Sequence, residues 1–203
     1  VTAEVTDITR RSVGGSKSVL AAAAPYRAEI EMNKGFYRTG EDAAASIMLF
    51  DAARKPASGQ AEIALFALSY DAERKAVETR LRDWNALKVE DGVLKHPLKF
   101  GNPGIYRIRV QLKAGSRQEP VQTYRDVVVL GKEGEKVDYQ FGPLKIYADK
   151  ELYQPGDTAE LLITSGVKDG TVLWFERLDR GERPELIALE NGMAVRKVKL
   201  TEQ

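Results

Sequence analysis

His96 is the sequence's one histidine and there is no cysteine, which leaves a single side chain of the two types most used for nucleophilic and transition-metal chemistry near neutral pH. A Ser-His-Asp arrangement would have to be built on His96 alone, and a two-histidine metal site is impossible. Without cysteine there are no disulfides, no thiolates and none of the usual zinc or iron–sulfur ligands. His96 lies in Leu94-Lys95-His96-Pro97, which reads as a strand end, so no catalytic role is expected of it. The carboxylate pairs Glu41-Asp42 and Glu90-Asp91 sit beside glycines and could hold calcium weakly. No spaced D-x-D-x-D loop accompanies them, and solvated turn charges are the better reading. Val13-Gly14-Gly15-Ser16 is glycine-rich, but no helix follows, so it reads as a hairpin turn and not a phosphate cradle. Trp84 and Trp174 could line a carbohydrate platform, although Trp174, within Val172-Leu173-Trp174-Phe175, reads as core. The expectation is a chain with no catalytic, cofactor or metal site.

The elements that would position such residues must come from 203 residues, enough for one large domain or two ordinary ones. At 43% hydrophobic the chain can bury a core. Its 31 lysines and arginines nearly balance 30 aspartates and glutamates, so the net charge of +1 gives no reason to expect nucleic acid or an anionic membrane as partner. No run of eighteen apolar residues is present to span a bilayer. The chain opens at Val1 with neither an initiator methionine nor a leader, and reads as an excised piece of a longer exported protein.

The dominant period is two. Tyr26, Ala28, Ile30 and Met32 alternate with polar residues, as do Tyr106, Ile108, Val110 and Leu112, and Val1, Ala3 and Val5. Such alternation marks strands with one core face and one wet face. Further strands are expected at Ala44–Phe50, Gln60–Leu68, Thr123–Leu130, Leu144–Ala148, Ala159–Thr164, Thr171–Glu176, Glu185–Leu189 and Ala194–Leu200. Turn signals separate them at Arg38-Thr39-Gly40, Lys55-Pro56, Asn102-Pro103-Gly104, Pro155-Gly156-Asp157 and Glu190-Asn191-Gly192. Residues 71–87 fit two patterns: Ala72, Ala76, Val77, Leu81, Trp84 and Leu87 suit a helix face, while Val77, Thr79 and Leu81 suit a strand. The all-β surroundings favour the strand. The fold class is all-β, a tandem antiparallel β-sandwich of immunoglobulin or fibronectin type III kind.

The chain repeats itself. Residues 33–43 (Asn33-Lys34-Gly35-Phe36-Tyr37-Arg38-Thr39-Gly40-Glu41-Asp42-Ala43) align with residues 149–159 in the pattern [N/D]-K-x-x-Y-x-x-G-[E/D]-x-A, an offset of 116 residues. The glycine permits a tight turn, the acidic residue after it bonds turn amides, and the tyrosine ring fills the end of a sandwich with its hydroxyl on solvent or a carbonyl. Tyr37 and Tyr153 are therefore expected to be structural. Tyr106, just after Asn102-Pro103-Gly104, stands where a tyrosine corner would. Residues 1–22 read as a closing hairpin that turns at Gly14-Gly15 and ends in Ser18-Val19-Leu20; residues 23–133 read as one complete sandwich. Gly131–Lys136 reads as a linker, and 138–203 as the start of a further sandwich.

The run Leu144–Thr164, centred on Asp149–Ala159 and followed by Gly170-Thr171-Val172-Leu173-Trp174-Phe175-Glu176-Arg177, resembles bacterial alpha-macroglobulins. Val5–Arg11, Gly15–Leu20 and Lys34–Glu41 resemble the join between two earlier macroglobulin-like domains of that family. The resemblance covers the whole chain and rests on the order and spacing of the motifs more than on any one of them. It implies a broad-spectrum protease trap of the bacterial periplasm, often an inner-membrane lipoprotein. In that family a protease cuts a bait region and is then held, in many members through a thioester. This chain, lacking cysteine, holds no C-x-E-Q thioester, and the resemblance places the bait region beyond Gln203. The implied partners are proteases, reached through the bait region, and neighbouring macroglobulin domains; any membrane contact would come from a lipid anchor outside these residues. The rival readings are a tandem adhesin or carbohydrate-binding surface module, which an exposed aromatic platform including Trp84 would favour, and a sandwich accessory domain of an enzyme.

Overall fold

The computed structural model describes residues 2–6, 12–16, 25–115, 119–132, 137, 139–178 and 181–200. Among these the chain is all-β. A first hairpin pairs β1 (Thr2–Thr6) with β2 (Ser12–Ser16). Gly14 and Gly15 lie inside β2, opposite Glu4 and Ala3, so they are not the turn expected there. Glycine tolerates a paired strand conformation as readily as a turn, and here it takes the former. Ser18-Val19-Leu20 falls outside the described residues.

The larger sandwich comprises β3 (Tyr26–Met32), β4 (Phe36–Arg38), β5 (Asp42–Asp51), β6 (Gly59–Tyr70), β7 (Ala76–Val89), β8 (Val93–Lys99), β9 (Gly104–Lys113) and β10 (Val121–Leu130). One layer has the order β3-β5-β8 and the other β4-β10-β9-β6-β7. The alternating side chains of both layers meet in one core. Ile47 and Leu49 from one layer and Ile63, Ile108 and Val110 from the other are all but inaccessible to solvent. At roughly 1.5–3 kcal/mol for each large side chain buried, this core is the main reason that the layers stay together.

Residues 71–87 hold no helix: 71–75 form a turn and strand β7 runs from Ala76, but with a different face inward from the one expected. Two register shifts, between Ala61 and Ile63 and between Leu65 and Phe66, mark bulges on β7, with Ala86 at φ 54°. Each bulge inserts a residue and turns the following side chains to the other side. Val77 and Leu81 are consequently exposed, whereas Trp84 and Leu87 pack on the core. Strand β8 was hidden by Pro97, which interrupts a strand pattern. It is tolerated because β8 is an edge strand, where proline's missing N–H costs no ladder bond.

One pairing is not antiparallel. The chain crosses between layers after β3, and Phe36, Tyr37 and Arg38 run parallel to Val128, Val129 and Leu130.

The smaller sheet group comprises β11 (Lys145–Ala148), β12 (Thr158–Thr164), β13 (Thr171–Leu178), β14 (Gly181–Ala188) and β15 (Met193–Lys199). Its order β11-β12-β15 repeats β3-β5-β8, and its hairpin β13-β14 repeats β6-β7. The turns before β8 and β15 also match: Asp91-Gly92 and Asn191-Gly192 are left-handed, and Glu90 and Glu190 bridge Val93 and Met193. Residues 152–154, the equivalents of β4, form no strand. β4 exists by pairing with β10, and no described strand stands in that place in the smaller group.

Candidate functional site

The repeated element folds into the same hydrogen-bonded knot twice. In the first copy the Tyr37 hydroxyl donates to Asn33 Oδ1 at 2.7 Å, and that oxygen also accepts the Ala44 amide at 2.7 Å. The Lys34 amide donates to the Tyr37 hydroxyl at 3.2 Å. Glu41 accepts the Arg38 amide across the turn, at 3.1 Å, while Gly40 takes φ 84°. In the second copy Tyr153 donates to Asp149 Oδ1 at 2.7 Å, Glu160 donates its amide there at 2.8 Å, and Asp157 accepts the Gln154 amide at 3.0 Å with Gly156 at φ 90°. The closing alanines, Ala43 and Ala159, are both buried. The tyrosine hydroxyl is thus tied to a side-chain oxygen at the first motif position, a role that the sequence pattern displays but that spacing alone does not assign.

Burial pushes the Tyr37 phenol up to about 12, so it remains a donor throughout the physiological range. Burial also raises the Tyr153 phenol, with its bond to Asp149 acting in the same direction. For Asp149, burial acts upward but is outweighed by the bonds from Tyr153 and the Glu160 amide, which hold its carboxyl below the ordinary value.

The positions between the kept residues are where the copies differ, and in the first copy they build a joint. Gly35 donates its amide to the Ala148 carbonyl at 2.9 Å. A β-carbon on Gly35 would lie 2.5 Å from that carbonyl oxygen, so no side chain fits. Phe36 is buried with Ile105, Val128 and Leu130 of the larger sandwich, Tyr139 beyond it, and Leu162 of β12. Arg38 forms a two-pronged ion pair with Glu160. The segment expected to be a linker enters residues outside the described set at 133–136, but the chain beyond it is anchored. Tyr139 donates to the Val129 carbonyl at 2.7 Å and stacks on Phe141 at 5.5 Å. In the second copy the three joint positions are Glu151, Leu152 and Gln154, and Leu152 is 84% exposed. The knot holds a turn in both copies; in the first it also presents a docking edge.

His96 lies inside β8, not at a strand end, and faces inward. It meets the Trp84 ring edge-on at 4.7 Å, and its buried Nε2 has no hydrogen-bond partner. Burial first, then the Arg82 charge, lowers its pKa below the ordinary value. Trp84 packs against the core with Arg82 over its ring, and so presents no open platform. Trp174 faces Arg196, which bonds Glu185 through both Nη atoms at 2.7 and 2.6 Å. Of the paired carboxylates, Glu41 is spent on the turn and on Lys34, and Asp42 lies 3.5 Å from Lys99. Among the described residues no group of three or more acidic or histidine side chains could hold a metal. Tyr106 does form the tyrosine corner, donating to the Asn102 carbonyl at 2.7 Å. On the outer face of the five-stranded layer, Arg107 bridges Asp126 and Glu78 while Arg109 clasps Glu78, a lattice in which each of these charges is matched.

No family model and no curated protein sequence matches the chain. Among solved structures it is similar to trypsin-activated alpha-2-macroglobulin from Escherichia coli, at 13% identity over 96% of this chain and 16% of that one, with a TM-score of 0.43. It is also similar to the sporulation control protein Spo0M of Bacillus subtilis (9% identity, 88% and 91% covered, TM-score 0.38). A third is a DUF4785 family protein from Legionella pneumophila (14% identity, 89% and 49% covered, TM-score 0.36). The chain spans about a sixth of the alpha-2-macroglobulin chain. With TM-scores below 0.5, these are likenesses of β-rich outline and carry nothing about activity.

Proposed function

We propose that the chain is a non-catalytic scaffold segment of a protease-trapping protein of the bacterial alpha-macroglobulin type. In this reading residues 23–133 are one complete macroglobulin-like module, 138–203 begin the next, and 1–22 close a preceding one. The parent protein is periplasmic and membrane-anchored through a lipid outside these residues, and its partners are the proteases that cut its bait region.

The observation that carries the reading is the joint. Gly35, Phe36 and Arg38 seize Ala148, Leu162 and Glu160 with a backbone bond, an apolar contact and an ion pair. Three kinds of contact across one junction suit a part that fixes the distance and angle between neighbours. The motif order along the sequence supports the same assignment. No observation favours the carbohydrate-binding alternative, since both tryptophans are engaged within the protein.

The test uses the full-length protein that carries this chain, mixed with trypsin at equimolar ratio. The expected result is loss of cleavage of a large protein substrate with retention of cleavage of a small chromogenic peptide, because the protease is enclosed and not blocked. Equal loss of both activities, or loss of neither, would overturn the reading.

A further inference from the structure

We infer that residues 82–84 of β7 are an acid-released latch: with His96 neutral, Trp84 shuts the segment on the core, and a proton on His96 swings it outward while the rest of the sandwich holds. The imidazole is buried on β8, where the Trp84 ring meets it edge-on, and its Nε2 has no hydrogen-bond partner. A neutral nitrogen in that place forgoes one bond. A protonated one is a buried charge with nothing to donate to, a much larger penalty. Among the described residues no carboxylate offsets that charge. β5 sets Ala45 opposite His96, and Lys95 of β8 lies on the exposed face of its strand. The carboxylates of the surrounding strands are engaged elsewhere: Asp83 with Arg80, Asp42 with Lys99, Glu62 with Lys113, and Asp51 with turn amides. The charge that does act on the imidazole is Arg82, over the Trp84 ring, and it repels.

The repeat shows what a cation at this position requires. His96 stands four residues after Gly92, and Arg196 stands four after Gly192, over the ring of Trp174. Arg196 is permanently charged, and Glu185 and Glu176 lie 2.6 Å and 3.9 Å from it. The first copy keeps a basic side chain there and omits the carboxylates. What can move in response is set by β7, the outermost strand of its layer, which bonds only β6. Its register slips on both sides of the segment. Leu81 is left over between Arg80 and Arg82, and Asn85 and Ala86 together stand against the single residue Glu62. Bulges of this kind interrupt the ladder and let a strand bend. Arg82, Asp83 and Trp84 can therefore leave by breaking their pairing with Leu65, Ala64 and Ile63 alone. That exit brings the imidazolium into water, where its charge is solvated.

The test is amide hydrogen exchange of the 203-residue chain at about pH 7.5 and pH 5, each corrected for intrinsic exchange, with and without urea below the unfolding transition. An open imidazole has its ordinary pKa of about 6.5, so this acidification multiplies the opening equilibrium by at most about thirtyfold. The expected result is protection of residues 80–87 about tenfold lower at pH 5 and nearly independent of urea, as for a local opening that exposes little surface. Protection of β9, lost only when the sandwich unfolds, should depend steeply on urea at both pH values. His96→Leu should abolish the acid effect at 80–87. Arg82→Gln, which removes the repelling charge, should move the midpoint of the fall to higher pH. No fall at 80–87, a fall with the urea dependence of β9, the same fall in His96→Leu, or an unmoved midpoint in Arg82→Gln overturns the inference.

Discussion

Arg38 and Glu160, 122 residues apart in sequence, meet through two parallel hydrogen bonds, Nη1 to Oε2 and Nη2 to Oε1, each 2.8 Å long. The bond to Glu160 raises the pKa of the guanidinium, which therefore stays charged at any pH the fold survives. Arg38 is 44% exposed, and pairs of this kind contribute only about 0.2–1 kcal/mol. Reversing one charge, Arg38→Glu, is expected to loosen the joint without unfolding either side. Solution scattering should show a broader distribution of maximum dimensions, growing with salt in the parent chain. The double reversal with Glu160→Arg should restore the parent profile.

Gly35 faces a harder limit. Because its β-carbon would intrude on the Ala148 carbonyl oxygen, Gly35→Ala must break the hydrogen bond from the residue 35 amide across the joint or shift β11. The loss expected is about 1–3 kcal/mol, from the bond and the displaced contact together. It should appear as lower melting of the smaller sheet group, with the larger sandwich unchanged by amide exchange of β6 and β9. Glu151→Ala, at the matching position of the second copy, should change neither.

The two knots should differ in acid. Asn33 does not titrate, whereas the carboxyl of Asp149 is held below its ordinary value in the folded chain. A depressed carboxyl contributes stability that is complete above its unfolded pKa, near 3.9, and is lost as pH falls through the lower folded value. Acid titration followed by NMR should therefore disrupt the amides of Lys150 and Glu160 while those of Lys34 and Ala44 persist. Asp149→Asn, which keeps the accepting oxygen, should remove that difference.

His96 gives a dependence at milder pH. Its folded pKa is depressed by burial, so stability is constant above the unfolded value of about 6.5 and falls as pH drops through the folded value. His96→Leu, close in size and without the orphan nitrogen, should flatten the melting temperature between pH 7 and pH 5. A parent chain with no slope in that interval would show that the imidazole finds a partner when protonated.

Much of the larger sandwich was legible because its strands have one wet face. The alternation in Tyr106–Leu112 maps directly onto buried and half-buried positions, and Tyr106 stands at a corner that turn residues announce. Other features depend on partners distant in sequence and leave no local trace. The three residues of β4 form a strand only because β10 lies beside them, as their unpaired equivalents in the second copy show. Pro97 disguised β8, and two bulges on β7 turned the expected inward face outward. The joint was hidden in plain view. Comparing the copies draws attention to the residues they share, which make the knot, whereas Gly35, Phe36 and Arg38 act where the copies part.

The parallel contact between β4 and β10 has a mechanical consequence. β4 lies near the beginning of the larger sandwich and β10 at its end, so tension applied along the polypeptide pulls these neighbours in opposite directions along their length. Their hydrogen bonds are then loaded in shear, together, and not peeled apart in turn. A short stretch of three paired residues becomes a clamp between the two ends of the sandwich.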